Sequence, residues 1–223
     1  MAQIGIHGML AIAIRKWLPE KVWLILGLVL GSIIPDLDNL AVAFATINKQ
    51  PTSGLHRTAT HSLMAVVLIF IVFYIIGKLA RQPRWVNLGW GLGLGVLLHI
   101  LLDLLVWFNG VAIFWPLPTW VNLWAKVTPA AWWMKLMDPA ELLFLALFFM
   151  LLDFSARKRN TDGNYIKTLR IWTVIEAILF VVFTVLAFGT IKGFATIFGV
   201  VYLLSIILAL GVTIRMRKTI EAS

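Results

Sequence analysis

The chain has 223 residues, of which 61% are hydrophobic and 13% charged, with a mean hydropathy of +0.94 and a formal net charge of +9. A soluble domain of this size could not cover so much apolar surface, and long apolar runs without strict alternation exclude a membrane β-barrel. The absence of cysteine excludes disulfides and thiolate metal sites, leaving His and carboxylate as ligands, while the basic excess lies between apolar runs, where loop bias accounts for it better than nucleic acid does.

The expected fold class is all-α: a polytopic helical membrane protein with about six to seven membrane-inserted helices. Residues 4–14 form an apolar run of eleven, too short to span about 30 Å of hydrocarbon at ~1.5 Å per residue. This first run reads as mature structure, since no small-residue cleavage site follows it. A second run, 22–35, is closed by Pro35. A third, 62–77, has Thr60 or Ser62 as its N-cap, and a fourth, 86–108, is long enough to cross with tilt. Residues 110–137 differ, because Pro116, Pro118 and Pro129 break helices and five Trp crowd together, as in an interfacial or re-entrant segment. A fifth run covers 140–152, and the last two spans cover 171–188 and 193–214. The expected organisation is a site-bearing membrane domain over 1–154, a cytoplasmic linker over 155–170 and a C-terminal pair of transmembrane helices over 171–223.

Basic clusters at residues 15–21, 78–84, 157–170 and 215–218 alternate with poorly basic connections. Placing all four in the cytoplasm gives six crossings and gathers His7, the connection from Asp36 to His61 and residues 109–138 near the outer face.

That face holds the residues able to carry chemistry. His99 and Asp103 are four apart and share a helix face, where the carboxylate can chelate a metal with the imidazole or orient it. Ionisable groups inside a membrane are costly, which favours function over a mutually satisfied buried pair. Asp36 and Asp38 follow Pro35 in P-D-L-D, a pattern that by itself could simply end a helix. His56 and His61 lie in H-R-T-A-T-H-S, with Arg57 between them able to hold an anionic group such as phosphate. His7 alone would read as a packing histidine; its company argues for inclusion. Asp138 and Glu141 read first as caps of the fifth run and second as late ligands or a proton acceptor. Glu176, in the C-terminal pair, reads as a partner for Lys or Arg at the inner end. G-W-G-L-G-L-G (89–95) is a poor nucleotide loop inside a span. Gly89/Gly93, Gly91/Gly95 and Gly27/Gly31 read as small-residue contacts that let the second and fourth runs approach.

The ordered set of an early His, G-x-x-x-P-D-x-D, H-R-x-x-T-H-S and H-x-x-x-D resembles the YdjM-like family of bacterial and archaeal inner-membrane proteins. These are described as LexA-regulated and expected to be metal-dependent hydrolases. The resemblance covers residues 1–152 and implies His7, Asp36, Asp38, His56, His61, His99 and Asp103 as functional positions. Asn39 departs from it, standing where many members carry His. The His/Asp order is more distantly similar to zinc-dependent phospholipase C. LexA enters as gene regulation, and no direct nucleic-acid binding is expected.

Four His and three Asp suffice for up to two divalent ions, with Zn or Mn favoured by Cys-free, His-rich ligation. The expected function is a membrane-bound phosphoesterase of the inner membrane, acting near the outer face on a lipid-linked or envelope substrate, with Asp38 and Asp103 as essential carboxylates and Arg57 as phosphate clamp. A metal or proton transporter should show ionisable groups along a whole crossing. A non-catalytic protein with a structural metal should show a closed site.

Overall fold

The computed structural model describes residues 3–189 and 193–222. Helices α1 (Ile4–Ile14), α2 (Leu24–Ile33), α3 (Asn39–Ile47), α4 (Leu63–Leu79) and α5 (Pro83–Val106) form the first half. Helices α6 (Ala131–Arg159), α7 (Ile166–Phe188), α8 (Phe194–Arg215) and the short α9 (Arg217–Glu221) complete the chain. Among the described residues the only β-pairing is an isolated bridge between Val111 and Val121. The protein is therefore an all-α, multi-pass membrane protein.

Among the described residues, five helical segments are long and apolar enough to cross a membrane: Leu24–Ile47, Pro83–Val106, Ala131–Arg159, Gly163–Phe188 and Phe194–Arg215. The sequence expectation of six to seven counted two more, and α1 with 11 residues and α4 with 17 are those that fall short. Two further differences have local causes. The second run does not stop at Pro35: the chain tightens into a 3-10 turn over Ile34–Asp38 and continues as α3, so the aspartates sit in a break within a span. A 3-10 turn tolerates Pro early, where its missing N–H would have had no helical partner. The fifth run begins nine residues earlier than expected, because Pro139 is accommodated inside α6 and Trp132 and Trp133 join that helix. Of the polar stretch 155–170, only 160–165 lies between the long helices.

Glycines set the closest approach. A Cβ at Gly27 or Gly31 of α2 would strike the Leu88 or Leu92 carbonyl of α5, and one at Gly91 or Gly95 would strike the Leu24 or Leu28 carbonyl of α2. The two backbones therefore touch through four absent side chains, the arrangement small residues allow where no hydrophobic drive joins helices. Gly89 and Gly93 face Phe73 and Val66 of α4 instead.

The main core runs through both halves: Leu28 and Ile33 of α2, Phe148 and Phe149 of α6, and Tyr202 and Ile206 of α8 are all fully buried in it. Helix α8 meets α2 and α6 as well as α7. At the chain end, the Glu221 carboxylate accepts the backbone N–H of Trp23 (2.7 Å) and of Leu26 (2.6 Å). These amides belong to the first turn of α2, whose donors lack helical partners, so α9 caps the helix that leads to the aspartates.

Candidate metal centre

Four separate segments deliver the site. Helix α1 brings His7, the 3-10 turn brings Asp36 and Asp38, the connection before α4 brings His56, Arg57 and His61, and the last two turns of α5 bring His99 and Asp103. All seven residues singled out in the sequence as ligands converge. They fall into three groups whose ligand atoms lie within 4.8 Å of one another: His7/His99/Asp103, Asp36/His61/His99 and Asp38/His56/His61. Shared His99 and His61 join the groups into one cluster.

His99 fixes the reading of the centre. Its Nδ1 lies 2.8 Å from the Ser32 carbonyl, which can only accept, so Nδ1 carries hydrogen and a neutral ring has its lone pair on Nε2. That carbonyl is in the last turn of α2, where helix carbonyls lack intrahelical donors. The ring is also stacked on His7, with centroids 3.9 Å apart and planes at 12°. His99 Nε2 then points at His61 Nε2, 3.1 Å away. Asp36 Oδ1 is 3.6 Å from His61 Nε2 and 3.7 Å from His99 Nε2, while Asp103 Oδ2 is 3.8 Å from each. His7 Nε2 is 3.4 Å from Asp103 Oδ1.

Asp36, His61, His99 and Asp103 are completely buried, and His7 is 1% exposed. Among the described residues, both carboxylate oxygens of Asp36 and of Asp103 nevertheless lack an aligned hydrogen-bond donor, and His7 Nδ1 and His56 Nε2 lack a partner. Orphaned buried carboxylates are expensive, and a cation between them removes the cost. The donor separations of 3.1–3.8 Å bracket the edge, about 3.3–3.6 Å, of a tetrahedron with ~2.0–2.2 Å ligand bonds. The residues present fit a divalent ion.

Asp38 is placed differently. Oδ1 meets His56 Nδ1 at 2.7 Å; Oδ2 accepts the Arg57 N–H and the Thr60 hydroxyl, both at 3.0 Å, and lies 3.2 Å from His61 Nδ1. It sits behind two imidazoles and sets which nitrogen of each faces outward. Burial alone would depress the basicity of His61, but its contacts with Asp36 and Asp38 outweigh this and raise its pKa to about 9. Without a metal, the proton on His61 supplies the positive charge between the carboxylates.

Arg57 is 3% exposed and adopts a left-handed backbone, φ 61°, held by its N–H to Asp38 and by its carbonyl, which accepts the Ala112 N–H at 2.9 Å. Its guanidinium lies over Trp107, with Nε 3.2 Å from Asp103 Oδ2 and Nη1 3.5 Å from the Asn109 carbonyl. Nη2 has no partner. The Trp-rich segment thus closes over the α5 end, where Trp124 Nε1 also donates to the Leu104 carbonyl at 3.1 Å. The cluster reaches the surface at His56, whose side chain is 23% exposed.

Sequence reasoning missed the Ser32 carbonyl, which carries no side-chain signal, and the Thr60 hydroxyl, read only as a cap. Ser62 fills the cap instead, accepting the Ala65 N–H. Asn39 is not idle: its Nδ2 donates to the Asp36 carbonyl at 2.9 Å and lies 3.4 Å from His56 Nδ1. Glu141 accepts the Ile4 N–H at 2.8 Å and so ties α6 to the start of α1. Among the described residues Glu176 has no Lys or Arg partner; the Ser205 hydroxyl of α8 donates to it.

The family model described as YdjM inner membrane protein matches residues 2–218. The chain belongs to this family. The match extends well past residue 152, where the sequence resemblance was expected to end, and takes in α7 and α8. That extent agrees with their shared core and the Glu221 cap. Searches of curated proteins and of solved structures gave no match. The similarity to phospholipase C is not among what these comparisons show.

Proposed function

We propose that this YdjM-family chain is a metal-dependent hydrolase of the inner membrane, cleaving a phosphoester in a lipid-linked or envelope substrate. The observation that carries it is the buried convergence of His61 and His99 Nε2 with two carboxylates that lack an aligned hydrogen-bond donor among the described residues. A bound Zn or Mn ion would supply Lewis acidity and a water of lowered pKa. The chain's own residues divide the remaining work. Asp36, His61, His99 and Asp103 would hold the ion, with His7 stacked on His99 and reaching Asp103. Asp38 orients His56 and His61 from behind. His56 Nε2, buried and unpartnered among the described residues, would ligate a second ion or take a proton from an entering water. Arg57 steadies Asp103 through Nε and leaves Nη2 for a substrate oxygen, a double duty that a free clamp would not have. The centre is assigned to the outer face, opposite the basic helix ends.

The deciding experiment pairs metal analysis of detergent-purified protein with turnover on phosphorylated lipids and generic phosphoesters. The expected result is bound Zn or Mn, with metal content and activity falling together in Asp103→Asn. Metal-loaded wild type that is as inactive as Asp103→Asn across the panel would remove the phosphoesterase reading. The near-total burial of five ligand candidates favours a second reading, a closed structural metal. It predicts that removing the metal lowers thermal stability while no hydrolysis is found.

A further inference from the structure

The opposite end of the bundle carries a cavity of about 910 Å³ between the α1–α2 connection, the last turns of α6 and α9. Seven Lys or Arg side chains line it, contributed by segments distant in sequence: Arg15, Lys16 and Lys21 from the first, two from α6 including Lys158, and two from α9 including Arg217. None of the seven takes part in an ion pair among the described residues. Only two carboxylates share the lining. One of them, Glu221, is hydrogen-bonded to the α2 amides, and the two carboxylates together leave a clear excess of positive charge around the cavity.

A plain cytoplasmic charge bias would scatter these cations over solvated loops. Here they ring a concave site whose wall includes Leu151 and the exposed Phe154 on the flank of a membrane-crossing helix, with Ile12 and Ile25 behind. A strongly cationic rim continuous with an apolar, membrane-facing wall matches an amphiphile better than a free ion. Basic pockets between transmembrane helices recognise anionic lipid headgroups in this way. We propose that this cavity binds the phosphate headgroup of an anionic phospholipid from the leaflet at the basic end, with acyl chain along Leu151 and Phe154. It is separate from the metal centre, since Trp23 at its edge lies about 14 Å along α2 from Ser32.

The occupant ties together the three segments that hold α1, α2, α6 and α9, so its binding should be visible as stabilisation. The test uses full-length protein in neutral detergent, with thermal unfolding followed as phosphatidylglycerol, phosphatidylcholine or inorganic phosphate is added. Phosphatidylglycerol should raise the midpoint and phosphatidylcholine should not. In Lys16→Gln/Lys158→Gln that rise should fall at least about two-fold, and Lys16→Arg/Lys158→Arg should keep it. The control Lys78→Gln/Lys167→Gln removes two charges from helices ending on the same side but outside this cavity, and should respond like wild type. Equal losses in both Gln pairs would reduce the effect to general charge and overturn the site. Full stabilisation by inorganic phosphate alone would replace the lipid by a small anion, and equal stabilisation by the two lipids would remove headgroup recognition. Lys16 and Lys158 are exposed, so the substitutions leave the core intact.

Discussion

Asp36 and Asp38 are two residues apart and look equivalent in the sequence, yet their surroundings assign them different work. Asp36 is wholly buried with both oxygens lacking donors, whereas both oxygens of Asp38 are engaged by His56, Thr60 and the Arg57 amide. Asp36→Asn should therefore abolish retention of a single equivalent of Zn, as read by mass spectrometry after dialysis. Asp38→Asn should retain the ion with an affinity lowered about 10–100-fold, the usual cost of losing a group that orients a ligating histidine. Identical losses in the two variants would contradict the division. The elevated pKa of His61, about 9, adds a pH dependence. Ion binding displaces the His61 proton, so apparent metal affinity should climb as pH rises from 6.5 toward 9 and level off above it. The stabilisation His61 gives the metal-free fold runs the opposite way: it is complete below the unfolded pKa and is lost as pH passes through about 9. The rise in unfolding temperature caused by Zn should thus be larger at pH 8.5 than at pH 6.5, and a flat profile would remove His61 from the ligand set. The residue types and their order were legible because titratable groups are rare and expensive in an apolar chain. The split between Asp36 and Asp38 was not, because it depends on which face of a 3-10 turn each occupies.

At the scale of elements, the centre depends on how closely α2 and α5 approach, since Ser32 and Asp36 come from one and His99 and Asp103 from the other. The glycine pattern announced close packing, but its assignment needed three dimensions. Gly91 and Gly95 face α2, while Gly89 and Gly93, two residues away in a helix, face α4. This separates two otherwise similar substitutions. A methyl at Gly95 meets the Leu28 carbonyl and the backbone of Gly31 and Ser32. Gly95→Ala should push the helices apart, lower stability by roughly 1–3 kcal/mol and weaken metal retention by moving His99 from the Ser32 carbonyl. At Gly93 the same methyl would lie 3.5 Å from a Val66 methyl, an ordinary contact. Gly93→Ala should be neutral or stabilising by up to about 1 kcal/mol through helix propensity. Thermal unfolding of the two proteins in detergent checks the contrast, and the reverse order of stabilities would refute it. Element ends were less legible than element centres. Pro35 looked like a stop and is an early position of a 3-10 turn, and Pro139 lies inside a helix that packing keeps continuous.

For the whole molecule, alternation of basic and non-basic connections was the most informative pattern in the sequence, and the fold brings cations from three of its four basic clusters together. Cations from the α1–α2 connection, the α6 end and α9 line one cavity, while the ligand candidates converge at the other ends of α1, α2 and α5. The role of the C-terminal helices was not legible. Their sequence resembles a simple anchor, and only the folded chain puts Tyr202 in the common core and Glu221 on the α2 amides. The positive-inside bias predicts that the basic end faces the cytoplasm. The absence of cysteine makes this directly testable, because one introduced thiol is the only one present. Lys126 in the Trp-rich segment and Lys167 near the start of α7 are both exposed and lie at opposite ends. In intact cells, a membrane-impermeant maleimide should label the Lys126→Cys protein and leave the Lys167→Cys protein unlabelled until the membrane is permeabilised. Retained Zn in each variant would show that the centre is undisturbed. The inverse labelling pattern would place the metal centre, and any substrate that reaches it through His56, at the cytoplasmic face.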